Sequence, residues 1–206
     1  MKHLRVFLLL IVLSFAMSTF AAGQAGAPAA QPAATSAQPA PSISGEINHQ
    51  IGIIEKEFVD AADAMPEDKY NFSPTGLNIQ GSDYKGVRTF AEEVKHVATA
   101  NYMFWGAITG DPMPAGVKGP NGPDEIKTKA EIMKYLRDSF ALGHKAAGTL
   151  TSENLVSTVK VSFSPNPVSR LFVATFAVAH GFDHYGQMVE YLRMNGIIPP
   201  ASRRSN

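Results

Sequence analysis

Apolar positions recur at three- and four-residue spacings in four stretches of the chain, and elsewhere the pattern breaks down. In the first, Glu46 to Ala64, the stripe is Ile47, Ile51, Ile54 and Phe58, and Pro66 lies just beyond its end. The second, Val87 to Ala107, carries Phe90, Val94, Val97 and Phe104. The third, Asp124 to Ala147, carries Ile126, Ala130, Met133, Leu136 and Phe140. Between them, Pro66–Gly86 and Gly110–Pro123 are rich in glycine, proline and small polar residues and read as loops. In Thr151–Phe163, Val159, Val161 and Phe163 alternate with polar residues, which suits a short extended connector.

The fourth stretch has the clearest boundary signals. Asn166 suits an N-cap and Pro167 the first helical position, where a missing N–H costs nothing. Gly196 can take the left-handed conformation after the last turn, Ile197 supplies the apolar residue of a Schellman stop, and Pro199-Pro200 cannot continue a helix. These limits predict roughly 29 residues, about 43 Å at 1.5 Å per residue. Four long amphipathic segments with little strand signal predict an all-α fold, a four-helix bundle.

The start of the chain follows another pattern. Basic MKHLR precedes an apolar run from Val6 to Phe20 and then Ala21, Ala22 and Gly23. The run is shorter than the roughly 20 apolar residues of a membrane span and fits a signal-peptide core. Residues 1–22 are therefore expected to be a signal peptide and residues 23–43, rich in Ala, Pro and Gln, a disordered linker. Residues 44–206 are left as the helical domain. The expected product is an exported protein, periplasmic or secreted, with no stable membrane anchor once the signal is cleaved.

Charge and cysteine content narrow the chemistry. All 18 acidic residues lie at or after Glu46, and Lys2 and Arg5 are the bases of the leader, so the domain is close to neutral. No basic run interleaved with aromatics is present, which argues against a nucleic-acid partner. The absence of cysteine excludes disulfides, thiol nucleophiles and zinc–thiolate sites.

Histidine carries the remaining signal. In HGFDHYGQMVEYLRMNGIIPP, His180 and His184 share a face with Val173, Phe176, Ala177, Gln187, Met188 and Tyr191, so two imidazoles interrupt an apolar stripe. Two ionisable rings about 6 Å apart on a core-facing stripe are costly unless both have partners, and a divalent cation would resolve the cost. The HxxxH spacing alone leaves core or surface histidines open. His96 in VRTFAEEVKHVATANYMFW is the candidate third ligand, with Glu92 one turn earlier. Gly181 stands where the zincin HExxH motif needs its glutamate, so the pair is not that protease motif, and Asp183 points to another face.

VRTFAEEVKHVA together with HGFDHYGQMVEYLRMNGIIPPAS resembles the DinB-like (DinB/YfiT) family of four-helix metalloproteins, over about Glu46 to Ser202. The resemblance implies a metal site made by one histidine of the second helix, His96, and the pair on the fourth, His180 and His184. It implies activities such as metal-dependent hydrolysis, or transfer and isomerisation with low-molecular-weight thiols. By the same analogy a homodimer is expected. Three imidazoles leave coordination positions open, as in catalytic sites. Zinc and nickel are the expected divalent ions, since imidazole suits both, and the further partner would be a small molecule of unknown identity.

Glu92 is the candidate catalytic base or the carboxylate that orients His96. His144 is a candidate fourth ligand or pocket base, set against a helix-terminal histidine stabilised by the macrodipole. His49 reads as solvated, and Tyr102, Tyr185 and Trp105 as packing residues. Three readings stay open: a metal-dependent hydrolase or transferase, a non-catalytic bundle that binds a metal or small ligand, and a metal-free bundle that is an exported interaction module. A base in a pocket beside the metal would favour the first, and an apolar pocket without one the second.

Overall fold

The computed structural model describes residues 40–203, so the expected signal peptide and most of the expected linker lie outside the described residues. Four long helices account for most of what is described: α1 (Ile43–Ala64), α2 (Phe90–Thr109), α3 (Lys129–Ala147) and α4 (Arg170–Met194). None of the described helices is long and apolar enough to cross a membrane.

Each helix begins where a hydroxyl side chain can take up a free N–H of the first turn. Ser42 Oγ accepts from Gly45 N, so α1 starts three residues before the apolar stripe suggests. Thr89 and Glu92 form a reciprocal capping box at α2, and Thr128 and Glu131 form another at α3. The second of these moves the start of α3 to Lys129. Ile126 is therefore only partly buried in the preceding turn and Ala130 faces solvent; Ile132, Met133, Leu136 and Phe140 make the buried face.

The start of α4 corrects the sequence expectation. Asn166 and Pro167 stay outside the helix, and Ser169 caps it by accepting from Phe172 N. Val168–Ser169 instead form a strand (β2) antiparallel to Thr158–Val159 (β1). This short ribbon lets the carbonyls of Ser157 and Leu155 accept from Arg170 N and Leu171 N. Those are two of the N–H groups a helix start leaves unpaired, and this arrangement outcompetes the Asn-Pro cap. The helix has 25 residues.

Its far end follows expectation. Gly196 has φ 73°, Ile197 N donates to Leu192 O and Gly196 N to Arg193 O, the bond pair of a Schellman stop.

In the bundle, α1 and α2 each pack against both α3 and α4, so α1 and α2 occupy opposite corners. The core between them is filled by Phe58, Phe90, Phe104, Trp105, Leu136 and Met188, all nearly or wholly removed from solvent. Trp105 lies against Gly143 of α3, where a Cβ would come within 2.9 Å of its Nε1, so glycine sets the close approach of α2 and α3. The same applies on α4, where a Cβ at Gly181 would sit 2.8 Å from Ile54 Cγ1 of α1. These contacts fix the rotation of α4 and with it the direction of its histidines.

Candidate metal centre

His96 projects from α2, and His180 and His184 from α4, the two helices packed along that side of the bundle. Their ring centroids are 4.5 Å apart for His180–His184, 4.6 Å for His96–His184 and 5.2 Å for His96–His180. One ring nitrogen of each lies within 4.8 Å of the others, which lets the three hold a single ion. The three residues picked from the sequence are thus brought together.

The surroundings orient two of the rings. His96 Nδ1 donates to the carbonyl of Pro120 at 2.9 Å, since a carbonyl can only accept. His184 Nδ1 meets Glu93 Oε2 at 2.7 Å, and the carboxylate again accepts. In both rings the lone pair is then left on Nε2, the state a metal ligand needs. His180 supplies a different observation: its Nδ1 is buried and has no hydrogen-bond partner among the described residues. An orphaned buried nitrogen is unfavourable, and it belongs to the ring whose neighbours are two other imidazoles. The donor set fits a divalent ion.

Burial acts in the same direction on protonation. It pushes His180 down to about 3, helped by His184, His96 and Arg88 and opposed by Glu93. Burial also lowers His96, against the hydrogen bond to Pro120. The Glu93 carboxyl is held below its ordinary range: burial works the other way, but the hydrogen bond and charge of His184, with Arg88, outweigh it. Arg88 Nη1 stands 3.6 Å from Glu93 Oε1.

The unfolded chain binds a proton at position 180 below about pH 6.5, whereas the native ring stays neutral to about 3. Native stability is therefore lost as pH falls through that window, with Glu93 adding to the loss below the carboxylate range. Thermal unfolding of the chelator-treated protein is expected to show a lower midpoint at pH 5 than at pH 7.5, and the drop should shrink in His180→Ala.

The loop after α2 wraps the open side. Lys95 Nζ donates to the carbonyls of Pro123 and Ile126, and Arg88 Nε donates to Asn121 Oδ1. Gly122, at φ 75°, passes so close that a Cβ would lie 3.1 Å from Thr99 Oγ1. The glycine- and proline-rich stretch is thereby pinned with Pro120 over His96.

The remaining candidates lie elsewhere. The expectation that Glu92 accepts an imidazole N–H is corrected: its Oε2 takes the Thr89 N–H at 2.8 Å as part of the capping box, and His96 turns to Pro120. The carboxylate at the histidines is its neighbour Glu93, 2 % exposed. A second acid one residue along, three before His96, was the signal available, and only the rotation of α2 chooses between the two. His144 is away from the cluster, bonded through Nδ1 to Asn48 and through Nε2 to Glu55 of α1. His49 and Asp183 are exposed. Tyr102 packs on Tyr135, Tyr185 is partly buried against the core, and Trp105 is buried.

Comparison with known proteins identifies the family: the model of the DinB superfamily matches residues 50–188. The chain belongs to the DinB superfamily. Among solved structures, a DinB-like protein from Bacillus cereus ATCC 10987 aligns with TM-score 0.58 at 17% identity, covering 77% of this chain and 96% of that one. A DinB-like protein from Bacillus subtilis aligns with TM-score 0.55 at 18% identity, covering 77% and 99%. At such identities the likeness is one of fold. No functionally curated protein matches. Within this DinB superfamily chain, the side of α4 facing α2 carries the site, at the margin of the apolar stripe: His184 is buried, while His180 and Phe176 are progressively more exposed.

Proposed function

We propose that His96, His180 and His184 bind one divalent ion, zinc or nickel, and present it to a small molecule. The observation that carries this reading is the convergence of one nitrogen from each ring within 4.8 Å, two of the rings being held by outward Nδ1 bonds. A bound cation would supply Lewis acidity, and with it a lowered pKa for a ligand water or stabilisation of a thiolate or carbonyl.

The chain's own groups supply orientation rather than a free base. Glu93 is buried and engaged by His184 and Arg88, and Glu92 is committed to its cap. Among the described residues, no carboxylate lines the cavity beside His96. That observation favours metal-dependent ligand binding over hydrolysis assisted by a carboxylate base; hydrolysis or group transfer at the metal itself is the second reading, carried by the three-imidazole donor set.

Elemental analysis of the purified protein tests the site. About one equivalent of zinc or nickel is expected, and His180→Ala combined with His184→Ala should abolish it; equal metal in both proteins would reject the proposal. The export reading rests on the apolar run Val6–Phe20 behind MKHLR. It predicts recovery of the chain from a periplasmic or medium fraction lacking about the first 22 residues, and retention of the full leader in the cytoplasm would count against it.

A further inference from the structure

Beside the histidine cluster lies a cavity of about 310 Å³, at the lower end of the roughly 300–1,000 Å³ of small-molecule sites. Ala100 and Met103 of α2 form one wall, and Met113, Val117 and Pro120 of the following loop form the other. His96 is part of the lining, so the recess and the candidate metal centre share a side chain. Among the described residues, Lys118 is the one charged residue on the lining; its side chain is 74% exposed and its ammonium faces Asp124 at 3.7 Å. Apart from His96 and Thr99, whose hydroxyl donates to the Lys95 carbonyl, the walls formed by the described residues are aliphatic and sulfur-bearing, without a carboxylate and with a single cation turned to solvent.

We infer that this recess takes the uncharged, apolar body of a small ligand whose one polar end reaches the three-histidine site. The inference rests on the metal reading for the polar end only, since the recess stands on its own lining. The electrostatics select the class. A polyanion, such as a peptide thiol with several carboxylates, would find one cation, already paired and solvated, and would lose its hydration against Met103, Met113 and Val117. An aliphatic or aromatic body loses nothing there and gains about 0.8 kcal/mol, roughly fourfold in affinity, for each methylene buried. Two methionines suit a range of shapes, because an unbranched thioether side chain re-packs readily. Met103 is also touched from outside by Ser162 Oγ at 2.9 Å, which ties this wall to the connector ahead of α4.

Two measurements on the full chain test the inference separately from the metal. In the first, the uncharged fluorophore N-phenyl-1-naphthylamine is titrated into chelator-treated protein. Saturable binding is expected, weakened at least about tenfold by Met113→Glu or Val117→Asp, a size corresponding to two or more methylenes. Val156→Asp, at a side chain 72% exposed and outside the recess, should leave it unchanged. Loss in Val156→Asp alone, loss only in Phe172→Ser on the exposed aromatic surface of α4, or no binding would each overturn the inference. Circular dichroism and unfolding midpoints of the variants show whether a loss reflects the recess or the fold, and the milder Met113→Gln provides a second reading should the charged variant not fold.

In the second, acetohydroxamate and octanohydroxamate compete for cobalt-loaded protein, followed by its visible spectrum. The longer chain is expected to bind at least about tenfold more tightly, with the preference collapsing in Val117→Asp. Equal affinities would overturn the recess while leaving the metal site standing. Failure to load cobalt, zinc or nickel would overturn the metal reading while the fluorophore result still decides the recess.

Discussion

Replacing Glu93 by alanine is expected to destabilise the metal-free protein by about 1–3 kcal/mol, the usual loss when a buried donor is left without its partner. The carboxylate is 2 % exposed and joins two groups, His184 Nδ1 at 2.7 Å and Arg88 Nη1 at 3.6 Å. Without it, the Nδ1–H of a buried imidazole has no strong acceptor and the Arg88 guanidinium loses its counter-charge. The second effect is on the metal. His184 presents Nε2 because Nδ1 holds the proton against Glu93; once that bond is gone, the ring can adopt the other tautomer or rotate. Loss of such an orienting partner costs about 10–100-fold in metal affinity. Glu93→Gln preserves shape and an acceptor, so it should keep more of the stability and still bind metal less tightly than wild type. Urea unfolding of the metal-free chain and zinc competition titration measure the two effects independently. Wild-type zinc affinity in Glu93→Ala would show that His184 is oriented by something else.

Gly181→Glu writes the protease-like HExxH pattern into α4, and the expected result is a damaged fold rather than a protease. The backbone at 181 is buried against α1, with room for no Cβ: the nearest atom is Ile54 Cγ1 at 2.8 Å, and Ile54 is itself 2% exposed. A glutamate would have to displace α1 and bury a carboxylate without a partner, for a combined loss of about 3 kcal/mol or more. Gly181→Ala separates the two costs. Alanine gains about 1 kcal/mol in helix propensity and meets an overpacking cost of about 1–3 kcal/mol, so a net loss of about 1 kcal/mol is expected. Denaturant midpoints of the three proteins are the measurement. A wild-type midpoint for Gly181→Glu would mean that α1 and α4 are not packed through this glycine.

Both expectations depend on facts of different origin. The existence of the four helices follows from local patterning, because the Ile47-Ile51-Ile54-Phe58 stripe or the Val94-Val97-Phe104 stripe buries one face whatever it packs against. The stop of α4 is equally local: glycine at position 196 reaches positive φ without a Cβ penalty, and the proline pair ends the chain of N–H donors. The histidines that cluster in the structure were legible as well. The four-residue spacing of His180 and His184 puts them on one face in any α-helix, and the resemblance of the surrounding segments supplied His96.

What needed the third dimension was every choice between near-equivalent neighbours. Glu92 and Glu93 are adjacent acids near one histidine, and only the rotation of α2 against α4 sends one into a capping box and the other beneath His184. Asn166-Pro167 and Ser169 are both competent helix starts. The second is used because strand pairing with Thr158–Val159 brings carbonyls to the free N–H groups of Arg170 and Leu171. The apolar recess likewise joins Met103 to Met113, Val117 and Pro120 across a loop whose composition marks a turn but not where it folds back. Local sequence determines propensity and periodicity, which act over a few residues. The partner of a side chain is decided by which helix face is buried most favourably, and that is a property of the packed whole.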